Sequence, residues 1–196
     1  MMKQNLSIGC LLMAAGSAKR FGENKLSAEL CGKTLIERAM ESIPREQFSR
    51  VLVVTQYPQI VQLAARFGYE ALRNDHPEAG QSETIRLGTA ALQKDCDAIC
   101  YMVADQPLLR RESVAQEAAF YRAHPDRIVG LGHNGVRGNP CIFPARFYPE
   151  LLALTGDTGG SRVIRAHEDA LLLYEVDAAQ LSDVDTRASL DALRQL

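Results

Sequence analysis

The nucleotide-binding signature G-x-x-x-x-G-K-[ST] does not occur in these 196 residues, and there is no G-x-G-x-x-G at the loop that follows the first apolar run. No apolar run approaches the roughly 18 residues of a membrane span, and no repeat, low-complexity tract or linker is visible. Positive charge is not in excess. Lys and Arg number 22 against 24 Asp and Glu, a net charge of -2, which argues against a general nucleic-acid binder and makes any anion site a local one. Cysteine is not present as a paired framework. Five residues, Cys10, Cys31, Cys96, Cys100 and Cys141, are an odd number in a chain that needs no staples, and no signal peptide is read ahead of them. Free thiols and a cytoplasmic location are therefore expected. Cys96 and Cys100 lack a second pair or a nearby His and read as buried small hydrophobes rather than zinc ligands. His76, His124, His133 and His167 show no ligand spacing, and none is assigned a catalytic role.

An apolar content of 46% is enough for one sizeable core, expected as a single domain over residues 1–196. The apolar run Ile8 to Met13 reads as a fully buried parallel strand. It ends in Ala14, Ala15, Gly16, Ser17 and Ala18, side chains so small that a ligand can approach the backbone. Lys19, Arg20 and Lys25 follow. Backbone donors with converging cations describe a phosphate cradle, although a strand ending in a Gly-containing loop with surface lysines also occurs in proteins that bind nothing there.

Helices are predicted from Thr34, as cap, through Ser42, from Pro58 through Phe67 and from about Ser82 to Lys94. Strands are predicted at Arg50 to Thr55, Tyr69 to Arg73 and Ala98 to Ala104. This alternation argues for a parallel sheet covered on both faces, a Rossmann-like three-layer α/β/α fold with its ligand site outside the carboxyl ends of the strands. Gly130 to Pro144 reads as a stretch rich in turn residues. Arg146 to Leu154 reads as a further helix, and a final helix carries Leu190 and Leu193.

Asp105 emerges directly after the Ala98 to Ala104 strand, and Pro107 makes Gln106 extended. Facing a phosphate loop, a carboxylate there suits Mg²⁺, which takes one or two carboxylates and fills its other positions with water and phosphate oxygens. The same three residues also suit a plain Asp-x-Pro turn. In Ser182-Asp183-Val184-Asp185-Thr186 the two aspartates face one way and Val184 the other, with Asp185 or Thr186 equally able to cap the last helix. Gly80, Gln81 and Ser82 open a helix whose N-terminus offers unpaired N–H groups and a hydroxyl.

The string L-x-A-A-G-x-[SA]-x-R-[FM]-G-x-x-K, filled by Leu12, Ala14, Ala15, Gly16, Ala18, Arg20, Phe21, Gly22 and Lys25, resembles the signature loop of nucleotidyltransferases of the molybdenum cofactor type. The resemblance extends to V-A-D-Q-P around Asp105, to D-V-D-T at Asp183 to Thr186, to the segment from Gly80 to Gly88, to G-x-P-x-x-F-P at Gly138, Pro140, Phe143 and Pro144, and to the loop from Gly156 to Arg162. It implies a loop that wraps an NTP triphosphate, with Arg20 and Lys25 on the phosphates. It further implies Asp105 and Asp185 on the metal, nucleotide contacts from Ser17, Gly80, Gln81 and Ser82, and an acceptor pocket with Gly138, Pro140 and Arg162. Glu83 stands where small polar residues are commoner in the family.

The implied reaction joins CTP to molybdopterin or molybdenum cofactor and releases pyrophosphate, with a molybdenum hydroxylase apoenzyme as a further partner and no nucleic acid or membrane. Three alternatives stay open: guanylyl transfer, transfer to a sugar or alcohol phosphate, and a non-catalytic chaperone for the finished cofactor.

Overall fold

A computed structural model describes residues 6–16 and 24–195. Seven strands form one sheet: β1 (Ile8–Ala14), β4 (Arg50–Thr55), β5 (Glu70–Arg73), β6 (Ala98–Val103), β7 (Ile128–His133), β8 (Val136–Pro144) and β9 (Leu171–Glu175), while β2 (Glu29–Leu30) and β3 (Lys33–Thr34) pair as a separate short ribbon. The order across the sheet is β5-β4-β1-β6-β8-β7-β9. Every strand but β8 runs the same way, β8 lying antiparallel to both neighbours. The chain works outward from β1 through β4 to β5 and then returns to β6 on the other side of β1. That reversal creates the switch-point crevice at the carboxyl ends of β1 and β6.

Both sheet faces are covered. Alternate residues of β1, Cys10, Leu12 and Ala14, join β6 residues Cys100 and Met102 in one apolar cluster, as the period of two demands. Helices α1 (Leu35–Glu41), α2 (Pro58–Arg66) and α4 (Arg111–Ala123) close this face with Met40, Ile60, Val114 and Tyr121. Leu11, Leu52 and Tyr101 point the other way, toward α3 (Gln81–Leu92), α5 (Tyr148–Leu152) and α6 (Ser161–Ala166). Helix α7 (Arg187–Leu193) belongs to a third, smaller cluster in which Leu190 packs with Leu30, Leu35 and Val184. This is the expected three-layer, mostly parallel arrangement. Cys96 and Cys100 are buried within it.

Several expectations need correction. The stretch rich in turn residues is a hairpin, β7 to β8, turning at Asn134 and Gly135 with φ of 49° and 78°. An Asn-Gly pair with both residues left-handed is the tight turn whose twist matches its strands. The helix expected from Arg146 starts later, because Pro149 cannot accommodate a helical carbonyl four residues before it. Residues Ala145–Phe147 instead form a single 3-10 turn ahead of α5. Helices α4 and α6, strand β9 and the short β2–β3 ribbon were not read from the sequence at all. Elsewhere the elements agree to within two residues, and Thr34 caps α1 in a reciprocal arrangement with Glu37.

Candidate active site at the carboxyl ends of β1 and β6

Three successive carbonyls at the end of β1 are tied down from the end of β4. Thr55 Oγ1 donates to Ala14 O at 2.9 Å, Gln56 Nε2 to Ala15 O at 2.7 Å, and the Tyr57 hydroxyl to Gly16 O at 3.1 Å. Drawing the carbonyls to one side fixes the backbone of residues 14–16. Thr55, Gln56 and Tyr57 were missed in the sequence. Their only signal is polarity immediately after a buried parallel strand. Ser17 and Arg20 lie outside the described residues.

The chain resumes at a turn, Lys25–Ser27, capped by the Asn24 side chain. From it Lys25 Nζ reaches Asp105 Oδ2 at 2.6 Å and Asp185 Oδ1 at 3.1 Å. Lys25 and Asp105 are 16% and 21% exposed at the side chain, Asp185 60%. Burial alone would lower the Lys25 ammonium, but Asp105 and then Asp185 more than offset it, and its pKa lies above the usual lysine value. Asp105 Oδ1 is buried with no hydrogen-bond partner among the described residues.

In the late acidic segment Val184 turns inward and Asp185 turns to the cleft, as alternation predicts, but Asp183 does not join Asp185 there. Val184 is fully buried, its N–H donates to Asp105 O at 2.9 Å, and Asp185 faces the cleft. Thr186, not Asp185, caps α7, so the Asp185 carboxylate is free for another task. Asp183 does not line the cleft. Partial burial of its carboxyl group raises its pKa, helped by the neighbouring charge of Asp105, while the Gln106 amide beside it favours the ionised form.

The cleft of about 820 Å³ runs from this charged end to the start of α3. Ala15, Gly16, Lys25, Gly80, Gln81, Thr84, Asp105 and Asp185 are among its lining residues. Ser82 is buried behind it. The N–H groups expected to be unpaired at the start of α3 are already taken: Ser82 N donates to Gly156 O at 3.3 Å and Gln81 N to Asp157 Oδ1 at 3.4 Å. The loop can approach so closely because Gly80, at φ 89°, has no Cβ; one built there would lie 2.6 Å from the Gly156 backbone. Thr84 Oγ1 in turn accepts from the buried Asn74 side chain at 3.2 Å. Glu83 forms an ion pair with Arg86 one turn on.

Gly138 and Pro140 stand on β8 beside the carboxyl end of β6, since Cys141 pairs with Tyr101. Arg162 is exposed in the first turn of α6. None of the three lines the cleft. Among the described residues no three His, Cys, Asp or Glu side chains form a metal-holding group. Two carboxylates converging on one cation, with an orphaned buried oxygen on Asp105, fit a hard divalent cation that draws its remaining ligands from phosphate and water.

A sheet with this strand order and a charged crevice at its switch point defines the nucleotidyltransferase class of Rossmann-like folds, and the comparisons agree. Residues 10–171 match the MobA-like NTP transferase domain, and the chain belongs to that family. It is a nucleotidyltransferase. Purine catabolism protein PucB of Bacillus subtilis is 25% identical over 206 residues, covering 99% of this chain and 98% of PucB. Among solved structures, Rv0371c of Mycobacterium tuberculosis superposes with a TM-score of 0.80 at 19% identity, over 98% of this chain and all of that one, and has also been solved in complex with manganese. A CMP:2-keto-3-deoxy-manno-octonic acid synthetase complexed with CTP gives a TM-score of 0.75 at 14% identity, over 96% and 97% of the two chains. Molybdopterin-guanine dinucleotide biosynthesis protein A of Archaeoglobus fulgidus gives 0.69 at 18%, over 95% and 97%. At these identities the structures speak for the fold alone.

Proposed function

We propose that the protein is a Mg²⁺-dependent cytidylyltransferase that joins CTP to molybdopterin or molybdenum cofactor and releases pyrophosphate. The observation that carries the proposal is the meeting of Lys25, Asp105 and Asp185 at the mouth of a small-residue loop, the arrangement that nucleotidyl transfer needs. The acceptor's terminal phosphate oxygen attacks the α-phosphorus in line, so no nucleophilic side chain is required and the protein's task is to position two anions and neutralise charge. Asp105 and Asp185 would hold the magnesium, which when bound screens the phosphates and offsets charge on the leaving pyrophosphate.

Lys25 would then turn its ammonium from the carboxylates to the phosphates. Arg20 is assigned to the same phosphates by the family motif. The base and sugar would lie against Gly80, Gln81 and Thr84, and Gly138, Pro140 and Arg162 would face the acceptor. The single 1–196 domain and a cytoplasmic location belong to the same proposal, as does delivery to a molybdenum hydroxylase.

The test is pyrophosphate release from CTP, GTP, ATP and UTP with molybdopterin, molybdenum cofactor and sugar or alcohol phosphates as acceptors. Turnover confined to CTP with a pterin acceptor is expected. Turnover with GTP, the base in the name of the Archaeoglobus relative, would replace cytidylyl by guanylyl transfer. Tight dinucleotide binding without turnover would replace the enzyme by a carrier.

A further inference from the structure

Asp105 and Asp185 come from segments that leave the sheet far apart, since β6 and β9 are separated by β8 and β7. The segment carrying Asp185 has only a short 3-10 turn, Ala178–Leu181, of its own. Besides the Gln106 amide beside Asp183, four contacts hold it over the end of β6. Val184 N donates to Asp105 O at 2.9 Å, Gln106 Nε2 donates to Leu181 O at 3.2 Å, Gln180 Oε1 accepts from Arg110 N at 3.1 Å, and Arg110 lies 3.7 Å from Asp177. The first is backbone to backbone and needs no particular side chain. The last is an exposed ion pair and weak.

The remaining two depend on glutamines that are 3% and 4% exposed. They work in opposite senses, one donating across the gap and one accepting, so the two loops are fixed at both ends of the turn. Gln106 Oε1 is itself buried without a partner among the described residues. An apolar side chain of the same shape would avoid that penalty, so what the amide contributes is its Nε2 donor. A glutamine beside the acidic pair thus serves the neighbouring loop rather than the ligand.

We infer that Gln106 and Gln180 are positioning residues, which fix the 180–185 segment against the 105–110 loop and thereby set the spacing of the Asp105 and Asp185 carboxylates for a divalent cation. The inference rests on the metal-assisted reading of the site. Neither side chain touches the nucleotide in this assignment, and each acts through the aspartates.

The test uses the full chain and the variants Gln106→Met and Gln180→Met, with Gln180→Glu as the conservative variant that keeps an acceptor for Arg110 N. Hydrogen exchange of peptides spanning residues 181–186 is expected to quicken about fivefold to tenfold in both Met variants, the effect of one lost hydrogen bond, and to return toward wild type in Gln180→Glu. Binding of Mn²⁺ alone, by calorimetry, should weaken by a similar factor. In turnover assays kcat at limiting metal should fall while KM for the nucleotide stays within about twofold.

Unchanged exchange and unchanged Mn²⁺ binding in a folded Gln106→Met protein would overturn the inference. If that variant does not fold, the Gln180 pair decides it on the same readouts. Should wild type transfer no nucleotide at all, the exchange measurement still judges the clamp while the proposed reaction fails.

Discussion

Lys25 Nζ lies 2.6 Å from Asp105 Oδ2, so the cation assigned to the phosphates rests on the carboxylate assigned to the metal. The same ammonium reaches Asp185. In that assignment Lys25 and a divalent ion would compete for the same oxygens, and loading the site would require the lysine to move.

This competition gives opposite signs for two readouts. Lys25→Met should bind Mn²⁺ about tenfold more tightly in the absence of nucleotide, equivalent to roughly 1.4 kcal/mol of relieved competition. Its turnover should fall about 10²- to 10³-fold. Calorimetry and pyrophosphate release measure the two quantities, and a parallel loss of both would refute the exchange.

Asp105→Ala removes the half-buried carboxylate and leaves Val184 N–H its backbone acceptor. The fold, followed by circular dichroism, should persist, whereas turnover should drop by at least about 10³-fold. Wild-type-like activity in this variant would sink the mechanism.

Gly80→Ala places a methyl group about 2.6 Å from the Gly156 backbone at a φ of 89°. Both strain and collision oppose it, and neither neighbour is a flexible side-chain tip. A loss of about 2 kcal/mol or more is expected in denaturant unfolding, with a raised KM for the nucleotide because the 156–157 loop and the start of α3 are pushed apart.

Glu117 gives a pH test remote from the site. It is fully buried, neither carboxyl oxygen has a partner among the described residues, and burial pushes its pKa well above the ordinary carboxylate value of 4.5. Below that value both folded and unfolded chains hold the proton and no ionisation penalty arises. As pH rises past it, the unfolded chain ionises first and stability falls until the folded-state pKa is passed. Glu117→Met should therefore stabilise the protein by about 1–3 kcal/mol at pH 7 and by progressively less toward pH 4.5. A gain independent of pH would contradict a buried, protonated Glu117.

Thr186→Ala should cost about 1 kcal/mol through loss of the α7 cap. Because the cap borders Asp185, the metal concentration for half-maximal activity should rise with it. A change in melting temperature alone would show that the cap serves only the helix.

The sheet was legible because its central strands are continuous apolar runs punctuated by Gly, Pro and Asn, a signal that neighbouring context does not blur. The acidic pair was legible for a related reason: Asp105 follows a buried strand and Val184 demands burial, which turns Asp185 outward. The hairpin at Asn134 and Gly135 was hidden by its own glycines, since Gly130 and Gly132 look like loop residues. Their small size in fact admits Cys141 Sγ and the Leu173 side chain, each about 3.0 Å from where a Cβ would stand. The pairing of the α3 N-terminus with Gly156 and Asp157 was invisible for want of any local pattern. It joins residues 76 positions apart, and only the folded chain brings them together.

Lys25 and Asp185 are 160 residues apart, and that separation has a consequence during synthesis. A nascent chain can complete β1, β4 and β6 while half of its acidic pair is still unmade. A fragment released before residue 185 would expose Asp105 and Lys25 to each other alone. If Asp185 holds the metal, such a product would lack half of that site, and nucleotide transfer would wait on the last part of the chain to be made.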